Sequence, residues 1–463
     1  MFKQVAAAMQ LHSIAMEQLY CGDFGAMTLK TILILSIGFL IPASLHAAEP
    51  MVRVRLIKTL SEIKLSPAAL FIISGGDGDA PEAKELDKPF RVIEVAKRLK
   101  VIDADGNELM EAPELAMESP DTAGEIKIEK VPTGVGWGFE SAEDQTHKGR
   151  FEFYPNDAGK IDVIVVLPIE EYLRGVVPSE IGADSPLEAA KAQAIAARSE
   201  VYSALKNRKY AGEHFDICGD VECQVFSGVT KNSELSDKAI TSTRGMVLFG
   251  GDEPIGAYYA SNSGGWSEGI ETVWPQRATS PIPYYSSNAD SETSITMDLR
   301  DEATMAIWLA SSPDVFSNPE KHPGLPKWAT KNFRWTKEVT AEDLTKQVAR
   351  IKDIGRVTAI RPITRGTGGH LIEALIVGEK GDVRLTPELK IRQAFDPPLK
   401  SSAFIVKAEG PANRPDKFII TGAGWGHAVG MDQTGAISRA LSGQDYKKIL
   451  GAYFRTAEIR KAY

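Results

Sequence analysis

One stretch near the middle of the chain constrains the fold more than any other. In "SPLEAAKAQAIAARSEVYSALKNR", Ser185 takes the N-cap position, Pro186 the first helical position and Glu188 the third. This is a capping box with proline where its missing N–H is not needed, and it predicts a helix over about 186 to 207. Ala189, Ala190, Ala192, Ala194, Ala196 and Ala197 strip the helix of bulk, so other elements can pack very close to it. Upstream, "RFEFYP" and "IDVIVVLP" flank "NDAGK" as a hairpin, and "IEEYLRGVVPSEI" follows. Downstream come a helix-like stretch at about 233 to 243 and "GMVLFGGDEPIGAYYASNSGG", a hairpin ending in a Ser/Asn/Gly loop.

The remainder sets the domain plan. Residues 51 to about 110 hold β-like runs ("MVRVRLI", "AALFIIS", "FRVIEVA") separated by turn-formers and charge. Residues 286 to 335 are polar, proline-rich and irregular, and the last part of the chain returns to strands before closing on "DQTGAISRALSG" and "YKKILGAYF". The expected class is α+β, with a β-rich module at 49–145 and a second region at 146–463. That region divides into a core at 148–285, an irregular insertion at 286–335 and a C-terminal part at 336–463.

The N-terminus reads as a targeting segment. Lys30 precedes an apolar run from Thr31 to Ile41, and "PASLHAAEP" supplies small residues at Ala47 and Ala48. A positive flank, a short apolar core and a small-residue cleavage site describe a signal peptide. The run is shorter than the ~20 residues of a membrane span. Met27 lies nearest the charged flank, so residues 1–48 are expected to comprise a mis-called start plus the signal peptide, and the mature chain to be exported to the periplasm or cell envelope without a membrane span. A retained N-terminal anchor is the alternative. With 53 Lys and Arg against 62 Asp and Glu and no basic block, nucleic acid is not an expected partner.

Four constellations can carry chemistry. Glu180, in "GVVPSEIGADSP", reads as a loop carboxyl beside Val176, Val177 and Ile181; partial desolvation there would raise its pKa toward that of a neutral-pH acid. A solvated carboxylate is the plainer alternative. His214, Cys218 and Cys223 in "HFDICGDVECQ" supply three ligands of a zinc site, while two close thiols in an exported chain equally suggest a disulfide. "YYASNSGGWSE" offers Tyr258, Ser263, Gly264, Gly265 and an aromatic face at Trp266 to a sugar, or is a glycine-rich turn. "TGAGWGHAVGMDQTGA" lacks the third glycine of a dinucleotide loop and the Gly-Lys-Ser/Thr of a P-loop, leaving tight backbone from which His427, Asp432 and Gln433 project.

Taken in order, "KGRFEF", "LPIEEYLRGVVPSEI", "SPLEAAKAQAIAAR", "FDICGDVECQVFSG", "GMVLFGGDEPIGAYYASNSGG" and "GAGWGHAVGMDQTGAISRAL" resemble the stage II sporulation protein D / amidase-enhancer family over about 148 to 460. The resemblance implies a peptidoglycan lytic transglycosylase with Glu180 as its acid/base. It places Arg198, Tyr258, Ser263, Gly264, Gly265, His427 and Gln433 in the glycan cleft, and zinc on the Cys/His loop. It also implies peptidoglycan glycan strands as partner and, from relatives described as enhancers, a cell-wall amidase. Two departures stand out: Ala428 and Asp432 occupy positions where the family usually has Gly and Ser.

Overall fold

The computed structural model describes residues 48–77 and 81–463; the expected signal peptide lies outside them. Among the described residues no helix is long and apolar enough to cross a membrane. The α+β expectation is met by several antiparallel sheets around a small set of helices.

The largest sheet runs in the order Ile217–Cys218, Met51–Leu60, Ile161–Pro168, Arg150–Pro155, Leu115–Glu118, Phe71–Gly75 and Glu82–Leu86. The expected hairpin is there, with Phe151 opposite Val165 and Phe153 opposite Val163. Its neighbours come from the N-terminal region: Val54 pairs with Val165, and Met117 with Phe151. Strands from both sides of residue 146 therefore share one sheet and one core, and the line drawn there in the sequence is not a break in the fold. The residues at 111–145, which show no clear period, form strands Leu115–Glu118, Ile126–Thr133 and part of Ser141–His147.

Helix α1 (Ile169–Ile181) leaves the sheet directly from Pro168. Ile169, Tyr172, Leu173, Val176 and Val177 recur at helical spacing and are all buried. Glu180 thus sits in the last turn of a helix, not in a loop: Pro178 forfeits one backbone hydrogen bond, but burial of this stripe outweighs the interruption. Helix α2 (Leu187–Lys206) begins one residue later than its capping signal suggests. Ser185 does not cap it; its hydroxyl donates to the Ile181 carbonyl and closes α1 instead. Glu188 accepts from the Tyr446 N–H and pairs with Lys191.

The alanine face of α2 does what its lack of bulk predicts. α1 and the helices Glu234–Ser242, Gln433–Leu441 and Tyr446–Tyr453 all pack on it. The 286–335 stretch is less irregular than its composition implies, since Asp301 caps a helix at Glu302–Ala310.

Candidate functional site

The site forms where a close approach to α1 meets α2. A Cβ at Gly175 would lie 2.7 Å from the Gly228 carbonyl, so only glycine lets the 226–228 segment rest on the helix. The Ser227 N–H donates to the Gly175 carbonyl at 3.3 Å. One turn further along α1, the Val225 N–H donates to Oε1 of Glu180 at 2.6 Å. From the other side Gln433 reaches Oε2 at 3.4 Å while also donating to Gln193 Oε1 at 3.2 Å. Glu180 is half-buried. Burial raises its pKa to about 7 against the lowering pull of the Val225 and Gln433 contacts, and the nearby charge of Glu200 raises it further.

Gln433 is delivered by the "GHAVGMDQ" stretch, which runs parallel to Tyr259–Ala260 with Tyr259 opposite Met431 and Ala260 opposite Asp432. Strand alternation then separates two adjacent tyrosines. The Tyr259 hydroxyl faces Glu180 and is raised well above its ordinary pKa by burial, then by that carboxyl. Tyr258 turns the other way, onto Trp274 and Tyr285, and accepts from Arg277 at 2.6 Å. His427 is half-buried. Its Nδ1 accepts from the Val429 N–H at 3.0 Å, its ring lies 4.7 Å from Trp274, and it is joined to the backbone of Tyr259. Burial lowers its pKa to about 3, so it stays neutral. Of the expected cleft residues, Gln433 touches Glu180, and His427 supports the strand that carries Tyr259.

Other expectations are corrected. Arg198 is not in the cleft: fully buried in α2, it makes two 2.9 Å hydrogen bonds to the Glu170 carboxylate, which also accepts from Tyr463. Ser263 gives its N–H and hydroxyl to buried Asp432, at 2.8 and 2.6 Å. Asp432 in turn caps Gln433–Leu441 through the Gly435 N–H, so it adds no charge to the cleft. Gly264 and Gly265, at φ +70° and +93°, are pressed against Ala423 and Val315 and offer no open backbone to a sugar. Trp266 is core, edge-on to Trp308.

On the Cys/His loop the structure shows the disulfide alternative. Cys218 and Cys223 form a disulfide, so no thiolate is left to ligate a metal, and the exposed His214 ring stacks flat on Tyr154 at 3.9 Å. Among the described residues no group of three or more His, Cys, Asp or Glu is placed to hold a metal ion.

Sequence reasoning missed Gln193, Glu200, Tyr259 and the Gln224–Val225 backbone. Gln193 and Glu200 are seven apart on α2 and so share a face, two long polar side chains on an alanine-rich helix. That was the available signal. Glu200 is buried with Lys209 Nζ 3.7 Å away, and burial raises its pKa. Gln193 Nε2 and Tyr259 Oη are buried with no hydrogen-bond partner in the protein. Tyr259 Oη turns toward Glu180, whereas the buried Gln193 Nε2 costs about 1–3 kcal/mol unless a polar ligand or water takes it.

The stage II sporulation protein (SpoIID) family model matches residues 157–249, which hold α1, α2 and the Val225 segment; a domain of unknown function (DUF8618) matches 268–430. Over residues 157–249 the chain is similar to the SpoIID family. The stage II sporulation protein D of Bacillus subtilis is 28% identical over 310 residues, covering 64% of this chain and 75% of that one. The amidase enhancer of the same organism is 27% identical over 301 residues, 61% of this chain; the match spans only 39% of the enhancer's length. An uncharacterized protein of Brachyspira hyodysenteriae is 26% identical over 393 residues, 83% of this chain and 90% of its own. That alignment is too long for the SpoIID region alone, in line with a sheet shared across residue 146.

Proposed function

We propose that this protein is an exported peptidoglycan lytic transglycosylase in which Glu180 is both acid and base. The observation that carries the reading is a half-buried carboxyl fixed by the Val225 N–H and Gln433, faced by the Tyr259 hydroxyl and raised by burial to a pKa of about 7. Glu180 gives its proton to the glycosidic oxygen following N-acetylmuramic acid as the C1–O bond breaks. The C6 hydroxyl of the same sugar closes on C1, and its proton returns to Glu180. The product is a 1,6-anhydro end, and no water is consumed.

Ordinary glycosidases need a second carboxylate across the sugar to act on water or on C1. Glu200, the carboxyl whose charge reaches Glu180, is buried against Lys209 and suits tuning of Glu180 better than attack on a substrate. Cleavage of purified glycan in heavy-oxygen water tests the distinction. The proposal requires products without the label; incorporation at the new reducing end would make the protein a hydrolase.

The relative named amidase enhancer supports a second reading, in which the protein binds the wall and stimulates an amidase without cutting glycan. Stimulation of a purified cell-wall amidase that survives loss of the Glu180 carboxyl would favour it.

A further inference from the structure

The loop Gly134–Glu140 projects two aromatic rings that belong to none of the hydrophobic cores. Trp137 stacks on Phe139 at 6.2 Å, and Phe139 meets Trp425 edge-on at 5.6 Å. Phe139 is 45% exposed. Arg392, buried and paired with Glu388, backs the Trp137 ring at 4.8 Å, and the half-buried Lys400 lies 5.5 Å from the ring of Trp425.

The ridge is continuous with the candidate site. Lys400 also donates to Asn332 at 3.1 Å, and Asn332 donates to the carbonyl of Trp328. Trp328 is 40% exposed, and its Nε1 would lie 3.9 Å from a Cβ on Gly182, two residues beyond Glu180. Next to Trp425, a Cβ at Gly426 would sit 2.7 Å from that of Ala260, the neighbour of Tyr259. The ridge is also held in place: the N–H groups of Gly134 and Val135 both donate to the Asp220 carboxylate, at 2.8 and 3.1 Å, inside the Cys218–Cys223 ring.

We infer that the ridge Trp328–Trp425–Phe139–Trp137 is a glycan-binding surface that holds the strand beyond the disaccharide at Glu180. The exposed rings of Phe139 and Trp328 fit the C–H faces of amino sugars, and the half-buried Lys400 ammonium beside Trp425 fits a carboxylate carried by a muramic acid unit. The inference rests on the proposed action on peptidoglycan. It adds that the loop at 134–140, outside the SpoIID match, sets the length of strand that is bound.

Full-length protein carrying Glu180→Gln, which binds without turnover, is titrated calorimetrically with one N-acetylglucosamine–N-acetylmuramic acid disaccharide and with an oligomer of four. The oligomer should bind at least tenfold tighter. Adding Phe139→Ala should remove most of that advantage, roughly tenfold for a lost stacking partner, and leave disaccharide affinity unchanged. Phe139→Trp should retain it. Phe139 is exposed and outside the cores, so a melting temperature matching the parent's is expected and excludes misfolding. If the parent prefers the oligomer and Phe139→Ala does so equally, the ridge is not a glycan surface while the proposed function stands. If the parent binds neither sugar, both fall.

Discussion

The Val225 N–H donates to Oε1 of Glu180 at 2.6 Å, joining the last turn of α1 to a segment two residues beyond the Cys218–Cys223 bridge. The bond favours the ionised carboxyl while burial favours the protonated one, and burial prevails, leaving the pKa at about 7. A carboxyl poised there can give a proton and take one back at the same pH.

Activity should follow that balance. The free protein is competent while Glu180 is protonated, so kcat/KM on purified glycan should hold at low pH and fall tenfold per unit above about 7. A profile that falls above pH 5 instead would assign Glu180 an ordinary carboxylate pKa.

Stability should show the opposite cost. In the unfolded chain Glu180 ionises near the ordinary 4.5, so folding must hold off that ionisation between about pH 4.5 and 7, and the penalty is complete above 7. Glu180→Gln should therefore stabilise the protein at pH 8, on the order of 1 kcal/mol for a half-buried group, and leave it unchanged at pH 4. Thermal melts at the two pH values check this; equal shifts at both would contradict it.

The disulfide fixes Asp220 and the approach to Val225 and leaves no thiolate for zinc. Replacing both cysteines by serine should cost roughly 2 kcal/mol, the value for closing so short a loop. Elemental analysis of the oxidised protein should find no stoichiometric zinc. One zinc per chain would restore the metal site the sequence suggests.

Arg198 belongs to the core rather than to substrate. Arg198→Ala would leave Glu170 charged and buried among Tyr463 and the Gly245 N–H, and should cost about 3–5 kcal/mol in urea unfolding. A stable Arg198→Ala protein with weakened glycan binding would return it to the cleft.

Ala428 tests the family departure. It is buried at φ +57°, a left-handed conformation that costs a non-glycine residue about 1 kcal/mol. Ala428→Gly should recover roughly that amount, less the extra freedom glycine has when unfolded. Destabilisation would mean the Ala428 methyl matters more to packing than the strain.

What was legible in the sequence follows from range. α2, the 150–168 hairpin, the helix at about 233 to 243 and the strands after 370 rest on local period and capping, and they form where expected. The Gln433 contact to Glu180 spans 253 residues and came from the family likeness rather than from spacing. Composition does not distinguish Tyr258 from Tyr259, and only the pairing of Tyr259–Ala260 with Met431–Asp432 decides which tyrosine faces the acid. Arg198 looked available because its partner Glu170 lies on another helix, and Ser185 lost its cap because its hydroxyl had a nearer carbonyl in α1.

The central claim is tested most directly by digesting purified peptidoglycan with the wild-type protein and with Glu180→Gln and reading the products by mass spectrometry. The account predicts 1,6-anhydro muropeptides from the wild type and a loss of at least a thousandfold in Glu180→Gln. Absence of anhydro products from the wild type, or their equal release by Glu180→Gln, would contradict it.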